Sequence, residues 1–183
     1  MVKVVIISQA RVGSSRLPSK VLKRINGKTI LSIHLERVKK SKYGPGLILA
    51  TTNEKCSDKI VNVAKSLNIK YYQGDVVDVL DRFYQSCYKM KPDFIVRVTS
   101  DCPLIDPLLI DKVVDFAILN KKDYTTNTLI EHFPDGQDVE VIRWKAFKEA
   151  WQNAKLKYER EHVTPYIRNN STFYNKKKYS SIN

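Results

Sequence analysis

The chain has 183 residues, 43% hydrophobic and 28% charged, a composition that supports one soluble globular domain whose core needs no disulfide or metal staple. Its three cysteines, Cys56, Cys87 and Cys102, form no C-x-x-C pair, which argues against a zinc site or redox dithiol, and no apolar run is long enough to span a bilayer, so a reduced, cytoplasmic setting is expected. The net charge of +13 is unevenly placed: residues 1–50 carry eleven Lys or Arg against Glu36 alone, and the last thirteen residues add Lys176, Lys177 and Lys178 without an acid, which suits a polyanionic ligand such as a nucleotide triphosphate or a nucleic-acid backbone.

Residues 2–8 read as a buried strand, and residues 29–40 as a helix with Leu31, Leu35 and Val38 on one face. Residues 46–51 form a second strand, after which Asn53 is expected to cap a helix turning Ile60, Ala64 and Leu67 inward. A third strand covers 69–72, a helix 78–88, a strand 93–99, and a helix 107–119 with Pro107 in its first turn and Asp106 as its N-cap. Short strands at 123–126 and 138–142 follow, then a helix over 144–154 with Phe147, Ala150 and Trp151 on its apolar side, and a last helix over 161–168. Alternating buried strands and helices predict an α/β fold with an open, mostly parallel sheet covered by helices on both faces. The domain is expected to occupy residues 1–170, with 171–183 a polar, disordered tail. In such a sheet, ligands sit at the carboxyl ends of the strands.

Two segments at those ends carry the chemistry. The loop after the first strand, residues 8–20, sets Arg11, Arg16 and Lys20 around Gly13, Ser14 and Ser15. Small residues let backbone N–H groups approach an anion while the cations neutralise phosphate charge. The spacing is neither G-x-x-x-x-G-K-[ST] nor G-x-G-x-x-G, which sets aside the P-loop and dinucleotide-binding readings. The second segment, residues 96–107, runs from a strand directly into Asp101, where a carboxylate joined by substrate phosphates would suit Mg²⁺; from spacing alone a turn or cap role is an equal reading. Lys39, Lys40, Lys42 and the tail lysines read as a solvated face.

The loop QARVGSSRLPSKVL, the segment GDVVDVLDRFYQ, the strand end VRVTSDCPLIDP, the segment FPDGQDVEVI and the helix start EREHVTPYI stand in an order that resembles the spore-coat polysaccharide type of cytidylyltransferase, a family related to the CMP-Kdo and CMP-sialic acid synthetases. The resemblance runs from residue 3 to about residue 170 and implies a Rossmann-like nucleotidyltransferase fold. It implies transfer of CMP from CTP to an acidic keto sugar, dependent on Mg²⁺, with pyrophosphate released. Arg11, Arg16 and Lys20 would hold the CTP phosphates, with Ala10, Gly13, Ser14 and Ser15 alongside, and Asp101 would bind Mg²⁺ with Ser100 preceding it. Thr51 and Thr52 correspond to positions near the cytosine or ribose, Asp75, Asp78 and Arg82 to a segment of less defined role, and Asn127, Asp138 and Glu140 to the part facing the sugar. Arg160 with His162 would meet the sugar carboxylate, although a histidine there reads equally as a packed or subunit-interface residue. The resemblance also implies a second metal-binding aspartate beyond the last helix that this sequence does not show, so either the chain is a shortened form or its metal site is built differently. It is expected to bind CTP with Mg²⁺ but to turn over poorly unless Asp138 or Glu140 serves as a substitute ligand. The partners implied are CTP and an acidic sugar, with a homodimer as candidate assembly and neither a specific nucleic acid nor a membrane. Competing readings are a nucleotidyltransferase with another NTP or a sugar or polyol phosphate acceptor, a relative that binds nucleotide without efficient turnover, and a basic nucleic-acid-binding domain.

Overall fold

The computed structural model describes residues 2–13, 17–129, 132–169 and 179–181. In chain order these form β1 (Val4–Gln9), β2 (Arg24–Ile25), β3 (Lys28–Thr29), α1 (Ile30–Val38), β4 (Leu47–Thr52), α2 (Asp58–Ser66), β5 (Lys70–Gly74) and α3 (Val79–Cys87). There follow β6 (Phe94–Thr99), α4 (Pro107–Leu119), β7 (Tyr124–Thr126), β8 (Glu140–Arg143), α5 (Trp144–Asn153), α6 (Lys157–His162), α7 (Pro165–Asn169) and β9 (Tyr179–Ser181). Seven strands make one sheet in the order β5-β4-β1-β6-β8-β7-β9, and β2 and β3 form a separate small hairpin. Strands β5, β4, β1 and β6 are parallel, β8 runs against both of its neighbours, and β9 is parallel to β7.

The central strand shows why its sequence is continuously apolar. Val4 and Ile6 point to one face, where they pack with Leu31 and Leu35 of α1, Ile60 of α2 and Ile110 of α4. Val5 and Ile7 point to the other, against Leu80 and Phe83 of α3, Phe147 of α5 and Ile167 of α7. Both faces are buried, so a period-2 alternation of apolar and polar residues has no place here. Gly46 brings β4 in beside β1: a Cβ at that position would lie 2.4 Å from the Val4 carbonyl oxygen. Helix starts follow their capping chemistry. The Thr29 side chain accepts from the Ser32 N–H at 3.0 Å, Asp78 from Asp81 at 2.8 Å, and Asp106 from Leu108 at 3.0 Å.

Three expectations differ from the observed elements. Asn53 does not cap α2; its N–H donates to the Gly74 carbonyl at 2.9 Å, extending the β4–β5 ladder, and the helix begins at Asp58 after a 3₁₀ turn over Lys55–Ser57. The single helix expected over 161–168 is two, α6 and α7, divided where Val163 takes a left-handed φ of 72° just before Pro165. Within the segment expected to be disordered, Tyr179–Ser181 pair with Tyr124–Thr126 at the sheet edge. Among the described residues, no helix is long and apolar enough to cross a membrane.

Candidate active site

From β1 the chain passes to β4 and β5 on one side and then returns to β6 on the other. The sheet therefore changes direction of growth between β1 and β6, and the carboxyl ends of those two strands open a crevice. A cleft of about 510 Å³ lies there. The segment leaving β1 contributes Gln9, Ala10, Arg11 and Gly13, and the end of β6 contributes Thr99 and Asp101. Among the described residues, Leu17, Lys20, Val21, Arg82 and Asp135 also line it.

The two motifs meet at one contact. Ser19 takes a left-handed φ of 56° and its N–H bonds the Val12 carbonyl at 3.1 Å, closing the loop and starting the short turn that carries Lys20. Lys20 Nζ then lies 2.6 Å from Asp101 Oδ2, both side chains about two-fifths exposed. Burial works against ionisation of Asp101, but the hydrogen bond and charge of Lys20, with the Thr99 hydroxyl, outweigh it and hold the carboxyl below its ordinary pKa. A third cation stands under the cleft. Arg82, 1% exposed, donates through Nη1 to the Asp75 carbonyl at 2.5 Å, while its Nε has no hydrogen-bond partner among the described residues. Burial and the neighbouring charge of Arg11 both depress its pKa, against the opposing charges of Asp75, Asp78 and Glu54. Arg11 and Arg82 both line the cleft, and their positive charge suits an anionic ligand.

The structure brings Ala10, Arg11, Gly13, Lys20 and Asp101 together; Ser14, Ser15 and Arg16 lie outside the described residues. Ser100 is buried beneath Asp101, its Oγ 2.7 Å from that of Ser8. Thr51 and Thr52, at the end of β4, are fully buried; Thr52 Oγ1 bonds Glu54 at 2.8 Å and Ser57 at 2.7 Å. Neither threonine lines the cleft.

The residues expected to face the sugar require correction. Asn127 is buried with both ends of its amide engaged: Nδ2 donates to the Gln137 carbonyl and Oδ1 accepts from the Val139 N–H, each at 2.9 Å. Glu140 is buried behind the cleft wall and ion-paired to Arg97 on β6, with the Tyr124 hydroxyl donating to its other oxygen. It is therefore not positioned as a second metal ligand, and it shares no strand with Asp138, which precedes β8. The Arg160 guanidinium grips Asp78 with three contacts of 2.5–3.1 Å and bonds the Trp151 carbonyl, clamping α6 to the start of α3. His162 is exposed at the end of α6 and does not line the cleft. Asp138 is exposed on the loop that carries Asp135; burial of its carboxyl and then the charges of Asp135 and Glu140 raise its pKa. Asp135 and Thr99 lie inside the quoted motifs but are not distinguishable there from neighbouring turn and strand residues.

Among the described residues, no cluster of three or more His, Cys, Asp or Glu side chains could hold a metal by itself. An ionised, partly exposed Asp101 beside an anion site nonetheless fits Mg²⁺, which takes one or two carboxylates and completes its shell with water and phosphate oxygens.

Comparison with known proteins agrees with this arrangement. A family model described as cytidylyltransferase matches residues 4–182. The spore coat polysaccharide biosynthesis protein SpsF of Bacillus subtilis is 32% identical over 176 residues, covering 93% of this chain and 72% of SpsF. A cytidylyltransferase structure from Leptospira borgpetersenii superposes with a TM-score of 0.93 at 34% identity, covering all of this chain and 76% of that one. The fold is also that of a CMP:2-keto-3-deoxy-manno-octonic acid synthetase complexed with CTP, at a TM-score of 0.73 and 17% identity over 98% of this chain and 89% of the other. The sheet with its switch-point cleft, the paired Lys20 and Asp101, and a family match spanning nearly the whole sequence lead to one assignment: the chain belongs to the cytidylyltransferase family.

Proposed function

We propose that the chain transfers the CMP unit of CTP to an acidic keto sugar, with Mg²⁺ as cofactor and pyrophosphate as the leaving product, in the synthesis of a surface polysaccharide or glycan. The observation that supports this reading is the convergence of Arg11, Lys20, Arg82 and Asp101 on one switch-point cleft. In the reaction an acceptor hydroxyl oxygen forms a bond to the α-phosphorus as the bond from that phosphorus to pyrophosphate breaks. The protein's task is to position the reactants and neutralise charge. Arg11 and Arg82 flank the anion, and Lys20 offsets the charge gathering on the leaving pyrophosphate. Lys20 has a second task, because its ammonium holds Asp101 before nucleotide binds. Phosphate would draw the ammonium away and leave the Asp101 carboxylate free to hold a divalent ion. Mg²⁺, held by Asp101 and phosphate oxygens, would polarise the phosphoryl group. Asp135, in the cleft lining, suits an acceptor hydroxyl. A cytoplasmic homodimer without membrane attachment is the assembly we propose.

The test is pyrophosphate release measured for the four NTPs against a panel of keto-sugar acids and sugar phosphates. Release is expected with CTP and a keto-sugar acid. Release confined to another NTP, or to a phosphorylated acceptor, would replace this reading with a different nucleotidyl transfer.

A further inference from the structure

His34 lies on α1, in none of the segments discussed above, yet it is fully buried directly behind the metal-site turn. Its Nδ1 is 2.9 Å from the Cys102 carbonyl oxygen and its Nε2 is 2.9 Å from Ser8 Oγ. Ser8 Oγ in turn lies 2.7 Å from Ser100 Oγ. One member of this chain sets the direction of every proton. A carbonyl only accepts, so Nδ1 carries the hydrogen and Nε2 is left as an acceptor. The Ser8 hydroxyl must then donate to Nε2, and the Ser100 hydroxyl must donate to Ser8. The imidazole in this arrangement is neutral, and burial lowers its pKa against the opposing effects of the Cys102 carbonyl and of Asp101.

The two ends of the network fall on the residues either side of Asp101, Ser100 through its hydroxyl and Cys102 through its carbonyl. The turn is also held by Ser100 N–H to the Gln9 carbonyl at 3.2 Å, Cys102 N–H to the Thr99 carbonyl at 3.3 Å, Ile105 N–H to the Cys102 carbonyl at 3.3 Å and the Lys20–Asp101 ion pair. We infer that His34 is a positioning residue, which through Ser8, Ser100 and the Cys102 carbonyl fixes the turn that presents the Asp101 carboxylate to the cleft. The inference rests on the proposed role of Asp101 toward a divalent ion, and it adds a requirement for α1 that the cleft lining does not reveal. A second-layer histidine of this kind sets ligand orientation without touching the ligand.

The test is a binding measurement, independent of turnover. Calorimetry gives the factor by which saturating Mn²⁺ tightens CTP binding, in the native protein and in His34→Phe, His34→Gln, Ser8→Ala and Asp101→Asn. Phenylalanine fills the space without either hydrogen bond, whereas glutamine offers one donor and one acceptor. His34→Phe is expected to reduce the Mn²⁺ factor at least tenfold while leaving metal-free CTP affinity within about twofold of native. His34→Gln should recover most of the factor, and His34→Phe should add nothing in the Asp101→Asn background. A native-like Mn²⁺ factor in folded His34→Phe would overturn the inference. So would an equal fall in metal-free and metal-bound affinity, which is the signature of a merely structural role. Should His34→Phe not fold, Ser8→Ala removes a single link of the same network and is held to the same outcomes. If Asp101→Asn itself leaves the factor unchanged, the metal reading fails and the inference falls with it, a result distinct from failure at the histidine alone.

Discussion

Replacing Glu140 with alanine removes one half of a largely buried ion pair between β6 and β8. Glu140 is 5% exposed, and the Arg97 side chain, on the neighbouring strand at its registered position, is 18% exposed. Burial favours the protonated carboxyl, but the Arg97 charge and the hydroxyls of Tyr124 and Thr164 outweigh it and hold Glu140 ionised. Truncating one partner of such a pair leaves an uncompensated buried charge, a loss of about 3–5 kcal/mol. The Arg97→Met, Glu140→Leu double substitution replaces both charges by apolar groups of similar length, and its loss should be less than about 1 kcal/mol. Urea unfolding of the native protein, the Glu140→Leu and Arg97→Met singles and the double measures the coupling directly, with Glu140→Ala run alongside. Metal-dependent CTP binding provides a second readout, which should be native-like in the folded double variant because Glu140 stands behind the cleft wall. A Glu140→Ala cost below about 1 kcal/mol, the range of an exposed pair, would refute the assignment of a structural ion pair. Loss of Mn²⁺-assisted CTP binding in a stable double variant would restore Glu140 to the site.

Lys20→Ala should weaken CTP binding by about 1.5–3 kcal/mol, the scale of a lost charge-assisted hydrogen bond, and unchanged affinity by calorimetry would remove the lysine from the nucleotide site. If the basic loop serves a small triphosphate, oligonucleotide binding should be non-specific and largely lost as salt rises through the physiological range. Sequence-selective, submicromolar binding at that salt would favour a nucleic-acid partner. His34 adds a pH dependence whose sign is fixed by burial. Its pKa is lowered from 6.5, so its stabilising contribution is complete above that value and is lost as pH falls below it, where the unfolded chain binds the proton first. Thermal melts should show a descending limb just below pH 6.5 that is reduced in His34→Gln, and identical profiles for the two proteins would contradict the buried neutral imidazole.

Most strands and helices were legible because each rests on local information: β1, β4 and β6 are continuous apolar runs, and Asp106 before Pro107 announces α4 from two residues. That the segment after β1 and Asp101 would share one cleft was legible for the same reason, since each motif marks a strand end. Roles decided by distant partners were not. Arg160 sits in a short basic and acidic segment that resembles a ligand-binding motif, but its partner Asp78 lies 82 residues away. Glu140 and Arg97 are 43 residues apart, and nothing in either segment says that each neutralises the other. Asn127 reads as a polar residue in a loop until its amide is seen bridging Gln137 and Val139. His34 was missed for the converse reason, because a histidine in an amphipathic helix has no motif around it and its partners Ser8 and Cys102 come from two other segments. A sequence motif lists the charges available to a site, whereas the tertiary pairing decides which of them a ligand meets. Here Arg160 and Glu140 are already paired within the fold, Lys20 is paired with Asp101, and Arg11 and Arg82 line the cleft. The charge offered to a ligand is what the tertiary pairing leaves over, and in this cleft that charge is positive and suits an anion.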